Sequence, residues 1–242
     1  MTGSRLIIAL DHEDPAEARR CVTSLDGRIG RFKVGSALFT RAGPEIVEEL
    51  LAGGRKVFLD LKFHDTPRTV AGAVAAAARL GVDLLTLHAA GGPAMMEAAR
   101  RVVEEEAGGA GRRPRLLAVT VLTSLGSEDH ARVVGPGARP LAEAVAELAH
   151  MAIEAGMDGL ISSAREVAML RAALGAGPLL VVPGIRPAWS VSDHSGQART
   201  AEPAEALGAG ASCLFVGRAG TAAGDPAAAV DRIEAEITAA GA

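Results

Sequence analysis

A (β/α)8 barrel, formed as a single domain over residues 1–242, is the fold this sequence predicts, and three observations carry the prediction. Eight short apolar runs rich in β-formers recur along the chain. A segment of helical pattern follows each of them. The length of 242 residues is close to the roughly 250 that a barrel of eight strand–helix units uses.

The strands are expected at Leu6–Asp11, Phe32–Gly35, Lys56–Lys62, Leu84–His88, Leu116–Leu122, Gly159–Ser162, Leu179–Pro183 and Cys213–Val216. Several are continuous apolar runs rather than alternating ones, which suits parallel strands buried on both faces. The helices between them are expected at Pro15–Ser24, Pro44–Leu51, Thr66–Leu80, Pro93–Glu106, Leu141–Ala155, Ala164–Leu174, Pro203–Leu207 and Pro226–Ala240. The first opens on Asp14-Pro15 and the last on Asp225-Pro226, each an N-capping carboxylate followed by proline in the first turn. Gly53-Gly54 and Gly81 are placed to stop the helices before them. Right-handed crossovers wind successive βαβ units one way, and eight of them can close. An open doubly wound sheet is the alternative, but no GxGxxG follows the first strand.

Apolar residues make up 49% of the chain and aromatics only 2%, with no tyrosine and one tryptophan, so the core must be aliphatic. The net charge of −4 comes without a basic stripe, which argues against nucleic acid as a partner and leaves any nucleotide handled here a small one. Cys21 and Cys213 stand far apart, with no CxxC and no Cys/His cluster, so no metal site is expected. The apolar run Leu6–Leu10 is too short for a signal peptide and ends in Asp11 and His12. No run approaches the roughly 20 apolar residues of a membrane span. The cytoplasm is the expected compartment, with no membrane partner.

A barrel of this kind builds its active site at the C-terminal ends of its strands. Charged residues at those ends therefore carry information. Asp11 ends the first expected strand, Lys33 lies in the second, and Asp60 and Lys62 close the third. His88 closes the fourth, Thr123 follows the fifth, Arg186 follows the seventh, and Gly217-Arg218 follow the eighth. Residues i and i+2 of a strand face the same side. Asp60 and Lys62 are thus expected to point together into the barrel mouth, with Leu61 facing out and Lys33 within reach from the neighbouring strand. Charges arranged in this way pair with one another and preset a strong local field. A structural salt-bridge cluster capping the barrel is the plainer alternative.

Gly217-Arg218 has the make-up of a phosphate grip: glycine allows close backbone approach and arginine presents a fork of donors. Phosphate sites after strands seven and eight are frequent in such barrels. A plain turn with an exposed arginine is the alternative. Pro183-Gly184-Ile185-Arg186 adds a second basic residue, and the polar stretch Pro187–Thr200 is long enough to be a lid. His64 is expected to pack or hydrogen-bond rather than react, His88 to line the site or serve structure, and Cys213 to act as a small buried apolar residue.

The segment Asp60-Leu61-Lys62-Phe63-His64-Asp65-Thr66-Pro67 resembles the DxKxxD(I/T)P signature of the orotidine 5′-phosphate decarboxylases. The likeness extends through Ile8-Ala9-Leu10-Asp11, Phe32-Lys33-Val34-Gly35, Val119–Ser124, Pro183–Pro187 and Val216-Gly217-Arg218. The resemblance implies a homodimeric, cofactor-free barrel enzyme that converts orotidine 5′-monophosphate (OMP) to uridine 5′-monophosphate (UMP). It implies Lys62 as proton donor to pyrimidine carbon 6, Asp60 against the substrate carboxylate, Lys33 pairing with Asp60 and the ribose, and Asp11 on a ribose hydroxyl. It implies Asp65 and Thr66 reaching into the neighbouring subunit's site and Thr123 contacting the base. Gln197, Gly217 and Arg218 would hold the phosphate, with Arg186 close by. The chain departs from the family pattern in having Gly196 before Gln197 and Ala219-Gly220 after Arg218.

Two rival functions share these features. A sugar-phosphate lyase such as hexulose-6-phosphate synthase has the DxKxxD core but uses Mg2+ and an enediolate; the His-Asp-Thr-Pro continuation and the Pro183–Pro187 segment favour the pyrimidine enzyme. A non-catalytic phosphate-ligand sensor would bind nucleotide without turnover, which the Asp60/Lys62/Asp65 set argues against.

Overall fold

The computed structural model describes residues 5–107, 113–190, 200–221 and 224–240. Eight parallel strands close into a barrel in simple sequence order: β1 Leu6–Leu10, β2 Arg31–Gly35, β3 Lys56–Phe63, β4 Leu84–His88, β5 Arg115–Val119, β6 Gly159–Ile161, β7 Leu179–Val182 and β8 Cys213–Val216. β1 pairs with β2 and with β8, which closes the ring.

The expected fold class is the observed one, and most element bounds lie within a residue or two of expectation. The first helix, α1 (Pro15–Ser24), begins where the Asp14 carboxylate accepts from the Ala16 N–H at 2.9 Å. Its neighbour α2 (Ser36–Ala42) was not expected. It starts directly from β2, with Gly35 both the last strand residue and the N-cap, so no loop separates the two elements. Next come α3 (Glu45–Ala52) and α4 (Pro67–Arg79), the latter with Thr66 as N-cap and Pro67 at its start. Gly54 and Gly81, just beyond these two helices, have φ of +75° and +86°, values that favour glycine. α5 (Pro93–Ala107) follows a 3-10 turn at Ala89–Gly91. A second unexpected helix, α6 (Ser127–Val134), is only two turns long; its apolar side carries His130, Val133 and Val134, but only His130 is buried. Around the rest of the ring run α7 (Leu141–Glu154), α8 (Ala164–Leu174), α9 (Pro203–Gly208), the one-turn α10 (Arg218–Thr221) and α11 (Pro226–Ala239). α10 is too short to carry a period.

The fifth strand was expected to run to Leu122 but ends at Val119. Its partner β6 stops at Ile161, opposite Val119, so Thr120–Leu122 continue the apolar run with no neighbour to pair with. The two layers of core follow the strand pleat. Ile7, Phe58, Leu84, Leu117, Val119, Ile161 and Val181 fill the barrel interior, with Cys213 and Phe215 packed against them. Leu6, Ile8, Leu10, Phe32, Val34, Val57 and Leu59 face the helices. The second strand breaks the apolar interior: its inward positions are Arg31 at the barrel floor, bound to Asp83 at 2.8 Å, and Lys33 at the mouth. Among the described residues, no helix is long and apolar enough to cross a membrane.

Candidate active site

The mouth of the barrel holds four of the expected residues in one charged row. Lys33 and Asp60 are almost fully buried, with 5% and 3% of their surface exposed. Charges so placed are stable only when paired. The Lys33 ammonium lies 2.5 Å from Oδ1 of Asp11 and 4.0 Å from Oδ2 of Asp60. That same Asp60 oxygen takes the Lys62 ammonium at 2.7 Å. The row thus runs Asp11–Lys33–Asp60–Lys62 across the ends of β1, β2 and β3. Gly35 makes room for it, since a Cβ there would sit 2.8 Å from Lys33 Nζ.

Asp60 and Lys62 converge by a route other than simple strand alternation. β3 advances from Leu59 to Phe63 while β4 advances only from Leu85 to Leu87, so Asp60, Leu61 and Lys62 all lie opposite Thr86. Lys62 has φ of +52°, the only positive φ outside glycine among the described residues. This is a β-bulge, which re-aims a side chain at the rim of a barrel. Leu61 still packs toward the outer, helix-facing core.

Thr86 is a site residue that sequence reasoning did not single out. It is fully buried, donates its hydroxyl hydrogen to Asp60 Oδ1 at 2.8 Å and accepts the Lys62 N–H at 3.0 Å. A threonine within the run Leu84-Leu85-Thr86-Leu87-His88, at the parity that faces inward, was the available signal.

Beside the charged row lies a cleft of about 200 Å³ lined by Asp11, Lys33, Asp60 and Lys62 on one side. Val119, Val121, Leu122, Thr123, Ser124, Ile161, Pro183 and Phe215 complete its lining. Thr123 is therefore in the cleft, and the aliphatic and aromatic wall is a feature the charged motifs did not reveal. Phe215 also packs edge-on against Phe58, with ring centres 6.0 Å apart.

Among the described residues, the remaining expected ones do not line this cleft. Asp65 and Thr66 occupy the exposed turn between β3 and α4, outside the cleft lining; Asp65 Oδ1 accepts from the Thr66 N–H at 2.5 Å. Gly217 follows β8 beside Asp11, whose Oδ2 would lie 3.4 Å from a Cβ at that position. Arg218 is exposed at the start of α10. Arg186 follows β7, its N–H donating to Ala201 O at 2.9 Å and its guanidinium to Ile185 O at 3.3 Å. Gln197 lies outside the described residues, as does most of the expected lid. At the start of that stretch, Trp189 donates to Glu236 on α11 at 2.5 Å and stacks with Arg232, 4.4 Å from the ring centre.

The ring of His88 stands 5.3 Å from that of His64 and does not line the cleft. Burial holds its pKa below the ordinary imidazole value, helped by His64 and Lys62, with Asp60 pulling the other way. Among the described residues, no group of three or more His, Cys, Asp or Glu side chains is placed to hold a metal ion.

A family model described as orotidine 5′-phosphate decarboxylase / HUMPS matches residues 4–233. The chain belongs to this family. It is similar to the orotidine 5′-phosphate decarboxylase of Moorella thermoacetica, with 50% identity over 96% of this chain and 92% of the relative. The enzyme of the same name from Alkalilimnicola ehrlichii is 48% identical over 99% of this chain and 98% of its own. Among solved structures, the orotidine 5′-phosphate decarboxylase of Lactobacillus acidophilus superimposes with a TM-score of 0.82 at 37% identity, covering 96% of this chain and 98% of that one. The family's fold is therefore the barrel described above, and the relatives span nearly the whole of this chain.

Proposed function

We propose that this chain decarboxylates OMP to UMP and CO2, the last step of UMP synthesis, using its own Lys/Asp row and no cofactor. The observation that carries the reading is the Lys33–Asp60–Lys62 row, with contacts of 4.0 and 2.7 Å, facing an apolar-walled cleft. The names of relatives near 50% identity, over nearly their full length, support the same substrate.

Breaking the bond between carbon 6 and the carboxylate leaves an electron pair on carbon 6. The pyrimidine offers no ready sink for it, so the protein must stabilise the charge. In our reading the Lys62 ammonium lies beside that carbon, stabilises the developing charge and donates its proton there. Preorganised charge in a water-poor site lowers barriers by about 3–4 kcal/mol per donor. Asp60, locked between two ammonium groups, faces the substrate carboxylate. Lys33 and Asp11 bind the ribose, and Thr123 contacts the base against the apolar wall. Gly217, Arg218, Arg186 and Gln197 take the phosphate, whose binding energy serves to seat the reacting carbon.

Asp65 and Thr66, exposed beside the mouth, belong in this reading to a neighbouring subunit's site, so the working unit is a homodimer. Its place of work is the cytoplasm.

The test follows loss of OMP absorbance in metal-free buffer with EDTA. Steady turnover to UMP is the expected result. OMP turnover that disappears with EDTA and returns with Mg2+ overturns the cofactor-free reading, and Mg2+-dependent turnover of a sugar phosphate with none of OMP favours the lyase. UMP binding with no turnover under either condition points instead to a sensor.

A further inference from the structure

We infer that Thr86 is a positioning residue for the decarboxylation, holding Lys62 and Asp60 in their reactive arrangement through one hydroxyl group; the inference rests on the role proposed above for that pair. A hydroxyl has one hydrogen to donate and two lone pairs to accept with. In Thr86 the hydrogen goes to Asp60 Oδ1 at 2.8 Å, and one lone pair takes the backbone N–H of Lys62 at 3.0 Å. The other Asp60 oxygen takes the Lys62 ammonium at 2.7 Å. The contacts close a ring: Thr86 hydroxyl, Asp60 carboxylate, Lys62 ammonium, Lys62 backbone, and back to the hydroxyl.

The bulge explains why such a ring is needed. Three residues of β3 face the single residue Thr86, so the Lys62 N–H has left the regular ladder. A buried N–H out of its ladder needs another acceptor. Lys62 also holds φ of +52°, a conformation that lysine rarely adopts and that persists only where the surroundings over-determine it. The Thr86 hydroxyl supplies the acceptor and, through Asp60, fixes the far end of the same side chain. Thr86 itself is fully buried and absent from the cleft wall, so it acts through its two neighbours and not on the substrate.

The experiment compares Thr86→Val, which keeps the shape and loses the hydroxyl, with Thr86→Ser, which keeps the hydroxyl. OMP turnover is measured as kcat and KM separately, and UMP affinity by calorimetry. Displacing a reacting group by an ångström costs about 100-fold in rate, so kcat of Thr86→Val is expected to fall by about that factor with KM and UMP affinity within about threefold. Thr86→Ser is expected to stay within about fivefold of the unmodified chain in kcat. Thr86→Ala, which differs from Thr86→Ser by a single oxygen, replaces the valine variant if that one does not fold, and the same gap is expected. The inference is overturned if the hydroxyl-free variants keep kcat within about threefold, or if serine is as poor as valine or alanine. Normal turnover in Lys62→Ala sinks the parent reading instead, so the two failures are told apart.

Discussion

The Lys62 ammonium lies 2.7 Å from Asp60 Oδ2 because the Lys62 backbone leaves the regular strand, with φ of +52° inside a bulge. The side chain is two-thirds buried and the carboxylate almost wholly so. This places a cation at the edge of the cleft with its direction set by the backbone as well as by its partner. Lys62→Ala is therefore expected to lower kcat by about 1,000-fold or more, the combined scale of a lost proton donor and a lost charge. UMP affinity should change by less than about tenfold, because the groups assigned to phosphate and ribose remain. Turnover near that of the unmodified chain would remove Lys62 from the chemistry.

The left-handed backbone at Lys62 makes a separate prediction about stability. Alanine at φ of +52° keeps the clash between Cβ and the carbonyl, whereas glycine has none. Lys62→Gly should therefore unfold at higher denaturant than Lys62→Ala by about 1 kcal/mol, the reverse of the order found in ordinary strands. Equilibrium unfolding of the two variants checks this, and alanine proving the more stable would show that the strain is not there.

Gly35 controls the other lysine. A Cβ at this position would meet Lys33 Nζ at 2.8 Å and Asp11 Oδ1 at 3.5 Å. Its φ of −93° is open to alanine, so Gly35→Ala should fold. The cost falls on the Lys33–Asp11 contact, and kcat/KM for OMP should drop by about 10- to 100-fold while the melting temperature moves little. An unchanged kcat/KM would mean that Lys33 has no part in binding or turnover.

Much of this arrangement was legible in the chain, though not always for the reason first given. The barrel followed from eight apolar runs with helical segments between them, and α1 and β8 fall where their capping and apolar signals put them. The meeting of Asp60 and Lys62 follows from strand alternation only by coincidence, since a two-residue slip against β4 is what brings them together. Bulges leave little mark on composition, because they are fixed by what the neighbouring strand offers, here a threonine hydroxyl. The helix α6 is short, two turns between glycines, and its apolar side is left largely in solvent, so packing does little to define it. The part expected of Asp65 and Thr66 in a neighbouring site comes from family likeness alone; within one chain Thr66 is the N-cap of α4 and Asp65 accepts its N–H.

His88 should make the fold sensitive to mild acid. Burial is the largest of the effects holding its pKa below the ordinary value of 6.5, followed by the nearby His64 and Lys62. As pH falls, the unfolded chain takes up this proton before the folded one. The contribution to stability is therefore complete above the unfolded imidazole pKa of about 6.5 and is lost progressively as pH drops toward the lower folded value. Melting temperatures recorded from about pH 7.5 down to about pH 5 should fall across this window, and His88→Gln should flatten that part of the curve. An equally steep curve in the variant would place the acid sensitivity elsewhere.

The opposite end of the barrel offers a control in which stability and activity part company. Asp158 stands just before β6 and binds Arg100 at 2.6 Å, the Leu116 N–H at 2.8 Å and Arg113 at 3.1 Å. Its side chain and that of Arg100 are only 16% and 13% exposed, so these contacts are poorly screened by water. Asp158→Ala leaves a largely buried guanidinium without its carboxylate and the N–H of β5 without an acceptor. Losses of this kind cost about 3 kcal/mol. In a chain of this length that lowers the melting temperature by roughly 6–12 °C. The N-terminal face of a barrel governs stability while the C-terminal face carries chemistry, so kcat/KM measured well below the transition should stay within about twofold. A large loss of kcat/KM in a folded Asp158→Ala would show that the floor of the barrel is coupled to the cleft, contrary to this division.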